Sequence, residues 1–172
     1  MRAVYRYDNM LALSEDGDTY HPRYGCEEYE VTETSVISVW KPFAGVTVRT
    51  TVTPMGEWHL REHEITTDRT LYAAEGGFAI ARGRNGEVET METADCTAVI
   101  APWGVAGVRN VEGYTGGTIV MPEPNTNLMA PRTLIPTLTA KLNPGKHVLK
   151  SAVLGTVTGG RTLLDNLPAE VK

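Results

Sequence analysis

The sequence predicts an all-β protein, a single antiparallel β-sandwich with few or no helices. Three observations carry this. Strand-like runs recur roughly every 8–12 residues, each bounded by turn residues. No stretch of about twelve residues or more keeps the apolar period of an amphipathic helix, 3.6 residues. The 17 glycines and 10 prolines are scattered along the chain rather than clustered in one linker, as many short strands and turns require.

The 172 residues suit one domain with a real core, and no composition shift divides them, so residues 1–172 read as one unit. The chain is 41% hydrophobic and 22% charged, with a formal charge of −5. That balance argues against nucleic acid and anionic membranes as partners, since both reward a basic patch. No window reaches the roughly 20 apolar residues of a membrane span. No signal peptide is visible at the start, which leaves the cytoplasm as the default expectation. Cys26 and Cys96 make no C-x-x-C motif, and two free, buried or partly buried thiols are expected.

Taken in order, Met10–Ser14 reads as a strand entering a turn at Glu15-Asp16-Gly17, and His21-Pro22 as extended chain. Glu27 to Val39 alternates and is rich in β-branched residues. Trp40-Lys41-Pro42-Phe43-Ala44-Gly45 then turns. Val46 to Thr53 is the clearest period-two run, with Val46, Val48 and Val52 on one face and Thr47, Thr51 and Thr53 on the other. After Pro54-Met55-Gly56 comes the stretch from Glu57 to Ile65. Thr70 to Ile80 is a strand in which Gly76-Gly77 marks a bulge or a close backbone approach. Asn85-Gly86 signals a hairpin. Val88–Thr93, Cys96–Ala101, Ala106–Val111 and Thr118–Met121 follow as strands, with a loop at Pro122–Asn127. Thr133–Leu142 is a strand whose Pro136 suggests an edge or a bulge. His147–Gly155 is the last strand, and residues 156–172 form a polar, frayed tail.

Most of the chemistry lies in Glu57-Trp58-His59-Leu60-Arg61-Glu62-His63-Glu64. On a strand, Glu57, His59, Arg61 and His63 share one face. Arginine offers a planar fork suited to a carboxylate, and histidine can move protons near neutral pH. The row therefore fits an acidic sugar. It does not fit a metal, because histidines four residues apart on a strand lie about 13 Å apart. No cofactor is expected. The bland alternative is a polar face that solvent or another domain covers. Glu57 falls on the opposite face from Glu62 and Glu64, against a paired-carboxylate hydrolase. Glu75 reads as a polar group beside the glycine pair.

Trp40, Trp58 and Trp103 suit either a core or a sugar-stacking platform. Asn125, Asn127 and Arg132, in a proline-bounded loop, can reach a ligand, although local turn bonding accounts for the asparagines equally well. Arg82-Gly83-Arg84-Asn85-Gly86 lacks the strand–loop–helix setting of a phosphate loop. The candidate ligand-binding set is thus His59, Arg61, His63, Trp58, Asn125, Asn127 and Arg132, with no metal site and no assigned catalytic residue.

Several ordered motifs carry a resemblance: Trp40-x-Pro42-Phe43-x-Gly45-Val46, Trp58-His59-x-Arg61-x-His63 and Glu75-Gly76-Gly77-Phe78-Ala79. To these are added Pro124-Asn125-Thr126-Asn127-Leu128, Pro131 to Pro136 and Leu142-x-Pro144-Gly145. From about Asp8 to Gly155 the chain resembles the C-terminal half of the family called domain of unknown function 2264. The resemblance implies a supersandwich-like β-sandwich that follows an (α/α)-toroid domain, as in heparinase-type polysaccharide lyases and related glycoside hydrolases. Some relatives are thought to release uronic acids from glycans. The toroid, expected to hold most catalytic groups, is absent from this chain.

Three readings follow. The first is a non-catalytic sandwich domain of a carbohydrate-active protein, forming one wall of a cleft or packing on a toroid. The second is an enzyme or glycan-binding module that uses His59, Arg61 and His63 on an acidic polysaccharide. The third is a self-association domain, which an exposed apolar patch would favour.

Overall fold

The computed structural model describes residues 9–15, 18–20, 25–81, 88–121, 133–157, 160–168 and 171. The predicted Asn85-Gly86 hairpin, the Pro122–Asn127 loop and the His21-Pro22 segment lie outside them, as does most of the turn after Glu15.

Two antiparallel sheets face each other. The larger is built on the Val46–Thr53 run, which continues through Pro54 as β5 (Val46–Met55) and folds back as β6 (Trp58–Thr67). Gly56-Glu57 is the two-residue turn between them, with Gly56 at φ 66°, the left-handed region that glycine reaches without steric cost. Outside β5 lie β4 (Val36–Trp40) and β3 (Glu28–Val31). Outside β6 lie β14 (Gly145–Thr156), β11 (Gly104–Glu112), β10 (Cys96–Ala101) and β9 (Glu89–Glu92). The order across this sheet is β3-β4-β5-β6-β14-β11-β10-β9.

The smaller sheet runs β12 (Gly116–Val120), β13 (Thr133–Leu142), β7 (Leu71–Gly76), β1 (Leu11–Glu15) and β2 (Asp18–Tyr20), with β8 (Ile80–Ala81) also paired to β13. The main core lies between the sheets. Leu11, Leu13, Leu71 and Leu138 from one sheet meet Trp40, Val48, Ile65 and Leu149 from the other.

Four expectations change. Pro136 is not on an edge, because β13 pairs with β12 on one side and with β7 and β8 on the other. The β7 ladder ends at Thr137↔Gly76 and the β8 ladder begins at Leu134↔Ile80. The proline, which has no N–H to donate, occupies the gap between them, and its carbonyl accepts from the Gly77 N–H at 2.8 Å. Cys26 is exposed rather than buried, while Cys96 is buried as expected. Glu57 sits in the turn, off the row of β6.

The tail is not frayed throughout. It forms the helix α1 (Gly160–Asp165), and both Leu164 and Val171 are buried. With Trp58, Ala98, Val105, Ala152 and Leu154 they make a second apolar cluster on the outer face of the larger sheet. The close approach expected at Gly76-Gly77 is present: a Cβ on Gly77 would stand 2.6 Å from Val108 Cγ2.

Candidate functional site

Strand β6 positions the row by alternation. Its odd-numbered residues face the smaller sheet: Arg61 and His63 are 6% and 2% exposed, and Ile65 is buried beside them. The hairpin register explains why. The valine face of β5 is apolar and turns inward, and Val48, Thr50 and Val52 stand opposite Ile65, His63 and Arg61. Directly opposed residues share a face, so the charged row is carried into the interior with the valines.

There it meets Glu75, on β7 of the other sheet, which is 0% exposed. Arg61 Nη1 donates to Glu75 Oε1 at 2.6 Å and to the Gly76 carbonyl at 3.3 Å, and Nη2 donates to Asn9 Oδ1. His63 Nε2 donates to Glu75 Oε2 at 2.8 Å, while its Nδ1 is 2.8 Å from Thr50 Oγ1. The Tyr114 hydroxyl also donates to Glu75 Oε2, at 3.5 Å. Trp40 Nε1 donates to Thr50 Oγ1 at 3.5 Å, which extends the chain of bonds into the core.

Burial pushes the Glu75 carboxyl up, but the opposite charges of His63 and Arg61 and their hydrogen bonds outweigh it. The group is held below its ordinary value of 4.5. Tyr114 goes the other way: burial and the nearby Glu75 charge raise its phenol, which stays protonated as a donor.

A depressed carboxylate gives a pH dependence of defined sign. Its stabilisation is fully present above the unfolded-state pKa and is lost as pH falls through the lower native value. Urea midpoints measured from neutral pH down to about pH 3 should therefore fall in acid. In Glu75→Gln the acid-side drop should be smaller. An equal drop in that variant would remove Glu75 as its source.

His59 stands apart from this network. Its ring packs on Phe78 with centroids 5.9 Å apart. Burial, then the Arg61 charge, lowers its pKa and favours the neutral imidazole. His59 and His63 thus serve different neighbours. Among the described residues, no group of three or more His, Cys, Asp or Glu is gathered to hold a metal ion.

The structure therefore brings together two of the seven candidates, Arg61 and His63, and adds Glu75, Thr50, Asn9 and Tyr114. Trp58 points to the opposite face of β6 and is 2% exposed in the second apolar cluster, so it offers no surface to a ligand. Asn125, Asn127 and Arg132 lie outside the described residues. The three tryptophans form no common platform, because Trp40 and Trp58 are buried and Trp103 is exposed. Glu75 is the hub that the sequence reading passed over. It has the same strand parity as buried Leu71 and Ala73, and a carboxylate on an apolar face requires a cationic partner.

Chemically the cluster is a carboxylate held between a guanidinium and an imidazole, and its charges are neutralised within the fold. Among the described residues, Arg61, His63 and Glu75 direct their polar atoms at one another and at Thr50, Asn9, Gly76 and Tyr114.

The chain matches the DUF2264 C-terminal domain family over residues 3–162. No curated protein matches it. Heparan sulfate lyase HepC of Pedobacter heparinus has a similar structure, at TM-score 0.57 and 9% identity over 88% of this chain and 24% of that one. A heparinase III structure is similar at TM-score 0.56 and 14% identity, over 88% and 24% of the two chains. An Escherichia coli K12 protein assigned as an aldose 1-epimerase is similar at TM-score 0.55 and 7% identity, over 90% and 82%. At these identities the likeness is one of fold, and this chain spans about a quarter of the two lyases, 24% of each.

Proposed function

Because the chain belongs to the DUF2264 C-terminal domain family, we propose that it is the non-catalytic β-sandwich domain of a carbohydrate-active protein. Its part is to form one wall of a glycan cleft or to pack against a helical toroid domain. The observation that carries this is the burial of Arg61, His63 and Glu75, at 6%, 2% and 0% exposure. Groups bonded to one another between two sheets are not available to bind a sugar carboxylate or to move its protons. The lyases that share the fold are about four times longer, since this chain covers 24% of each, which leaves ample chain for catalytic groups elsewhere in such proteins.

The test is an activity panel on the 172-residue chain. Uronic-acid polysaccharides and neutral glycans are incubated with it, and both reducing ends and unsaturated uronates are followed. No turnover is expected. Turnover that survives purification to homogeneity and disappears in His59→Ala would replace this reading with that of an autonomous enzyme. The autonomous reading draws on the E. coli protein, in which the same fold fills 82% of the chain.

Self-association has a feature of its own. Tyr29, Val31 and Val36 are exposed on the β3–β4 edge hairpin. The edge strand nevertheless disfavours pairing with its own copy. In the two antiparallel registers centred on β3, Glu30 would stand opposite Glu30 or Glu28 of the second copy, and like charges directly opposed destabilise a sheet.

A further inference from the structure

At the end of the sandwich where β6 begins and β14 finishes, a groove of about 510 Å³ opens between the sheets. Small-ligand pockets typically measure roughly 300–1,000 Å³. Four separated parts of the chain wall it: Glu57 in the β5–β6 turn, Phe78 and Ile80 after β7, Trp103 in the β10–β11 turn, and Gly155 and Val157 at the end of β14. Phe78 packs against His59 behind it. Gly155 permits that seat, since a Cβ there would stand 2.4 Å from Phe78 Cδ2.

Trp103 is 44% exposed, against 1% for Trp40 and 2% for Trp58. It is the one tryptophan of the three that a solute can reach. Its indole lies beside a concavity rather than on a flat face, where an apolar ring face and a polar edge can both meet a ligand. Among the described residues lining the groove, Glu57 is the one charged side chain, with no Lys or Arg beside it. A carboxylate without a cation repels a uronate or a sulfated sugar. It accepts hydrogen bonds from hydroxyls, while the C–H face of a sugar ring suits an indole.

We propose that this groove is a subsite for an uncharged glycosyl residue, stacked on Trp103 and donating a hydroxyl to Glu57. The inference rests on the reading of the chain as a domain of a carbohydrate-active protein, and it moves the sugar contact from the buried Arg61 row to the end of the sandwich. A concave site that pairs one solvent-exposed indole with one carboxylate favours a sugar over a protein partner.

Calorimetric titration of the chain with cello-, xylo- and manno-oligosaccharides, and with oligogalacturonate as the charged comparison, tests it. Saturable binding of at least one uncharged series is expected, with a change in tryptophan emission and weaker binding of oligogalacturonate. Trp103→Ala should weaken that binding about tenfold or more, and Trp103→Phe should retain most of it. Both variants should melt close to the parent, because the side chain lies in an exposed turn. Glu57→Lys should raise the relative affinity for oligogalacturonate.

The proposal is overturned if no uncharged series binds, if Trp103→Ala binds as the parent does, or if oligogalacturonate binds best. It is also overturned if Trp103→Ala changes only the oligomeric state, which would make the groove a protein contact. Failure here leaves the absence of turnover untouched, whereas turnover that persists in Trp103→Ala strikes the non-catalytic reading and not this one.

Discussion

Arg61→Met is expected to destabilise the domain by about 3–5 kcal/mol in urea denaturation, with the denaturant slope unchanged. The side chain is close in length, so little packing is lost. What remains is Glu75, fully buried with His63 and the weak Tyr114 bond as its partners. The Gly76 carbonyl and the Asn9 side chain lose a donor as well. Removing one partner of a buried ion pair costs more than the pair itself contributes, because an uncompensated charge stays behind. The companion experiment replaces the whole group. Arg61→Met, His63→Leu and Glu75→Leu together should recover most of the loss, since an apolar set of similar volume has no charge to desolvate. A typical domain has about 5–15 kcal/mol of stability in total, so the single variant should be visibly crippled and the triple one should not. An Arg61→Met chain within about 1 kcal/mol of the parent would mean that water reaches the cluster, and would reopen its use as a binding site.

Much of this was legible in the sequence, and the part that was not has a physical cause. Strand alternation correctly placed His59, Arg61 and His63 on one face, but alternation alone does not say which face turns inward. The base expectation that charged side chains stay outside then pointed the row to solvent. Two signals argued otherwise. A two-residue turn at Gly56-Glu57 sets Thr50 opposite His63, which puts the row on the face of Val46 and Val48. Glu75 shares the parity of Leu71 and Ala73, which announces a buried carboxylate in need of cations. Neither signal names the partner, because Glu75 and Arg61 belong to different sheets and meet only through sheet packing. The position of β14 between β6 and β11 is hidden for the same reason: long-range pairing leaves no trace in local pattern. The tail was misread because α1 is only six residues long, too short for a helical period to show.

That short helix leads to the second large effect. Leu164→Ala is expected to cost about 2–4 kcal/mol. An isolated helix of this length is not stable in water, so α1 depends on what it touches. Leu164 is buried against Gly107 of β11, and its carbonyl accepts from Arg109 Nη1 at 2.7 Å. The contact is close enough to predict a coupling. A Cβ on Gly107 would stand 2.4 Å from Leu164 Cδ2, so Gly107→Ala alone should force the leucine off its seat and destabilise the domain. In the Leu164→Ala background that methyl enters space the leucine has vacated. The double variant should then be more stable than Leu164→Ala alone, which gives a coupling energy of about 1 kcal/mol or more in a thermal or urea cycle. Emission from Trp58, buried in the same cluster, should shift to the red in Leu164→Ala and partly return in the double variant. Strict additivity would show that α1 does not rest on Gly107. The second apolar cluster would then be held by the sheet alone, and the burial of Trp58 would need no help from the tail.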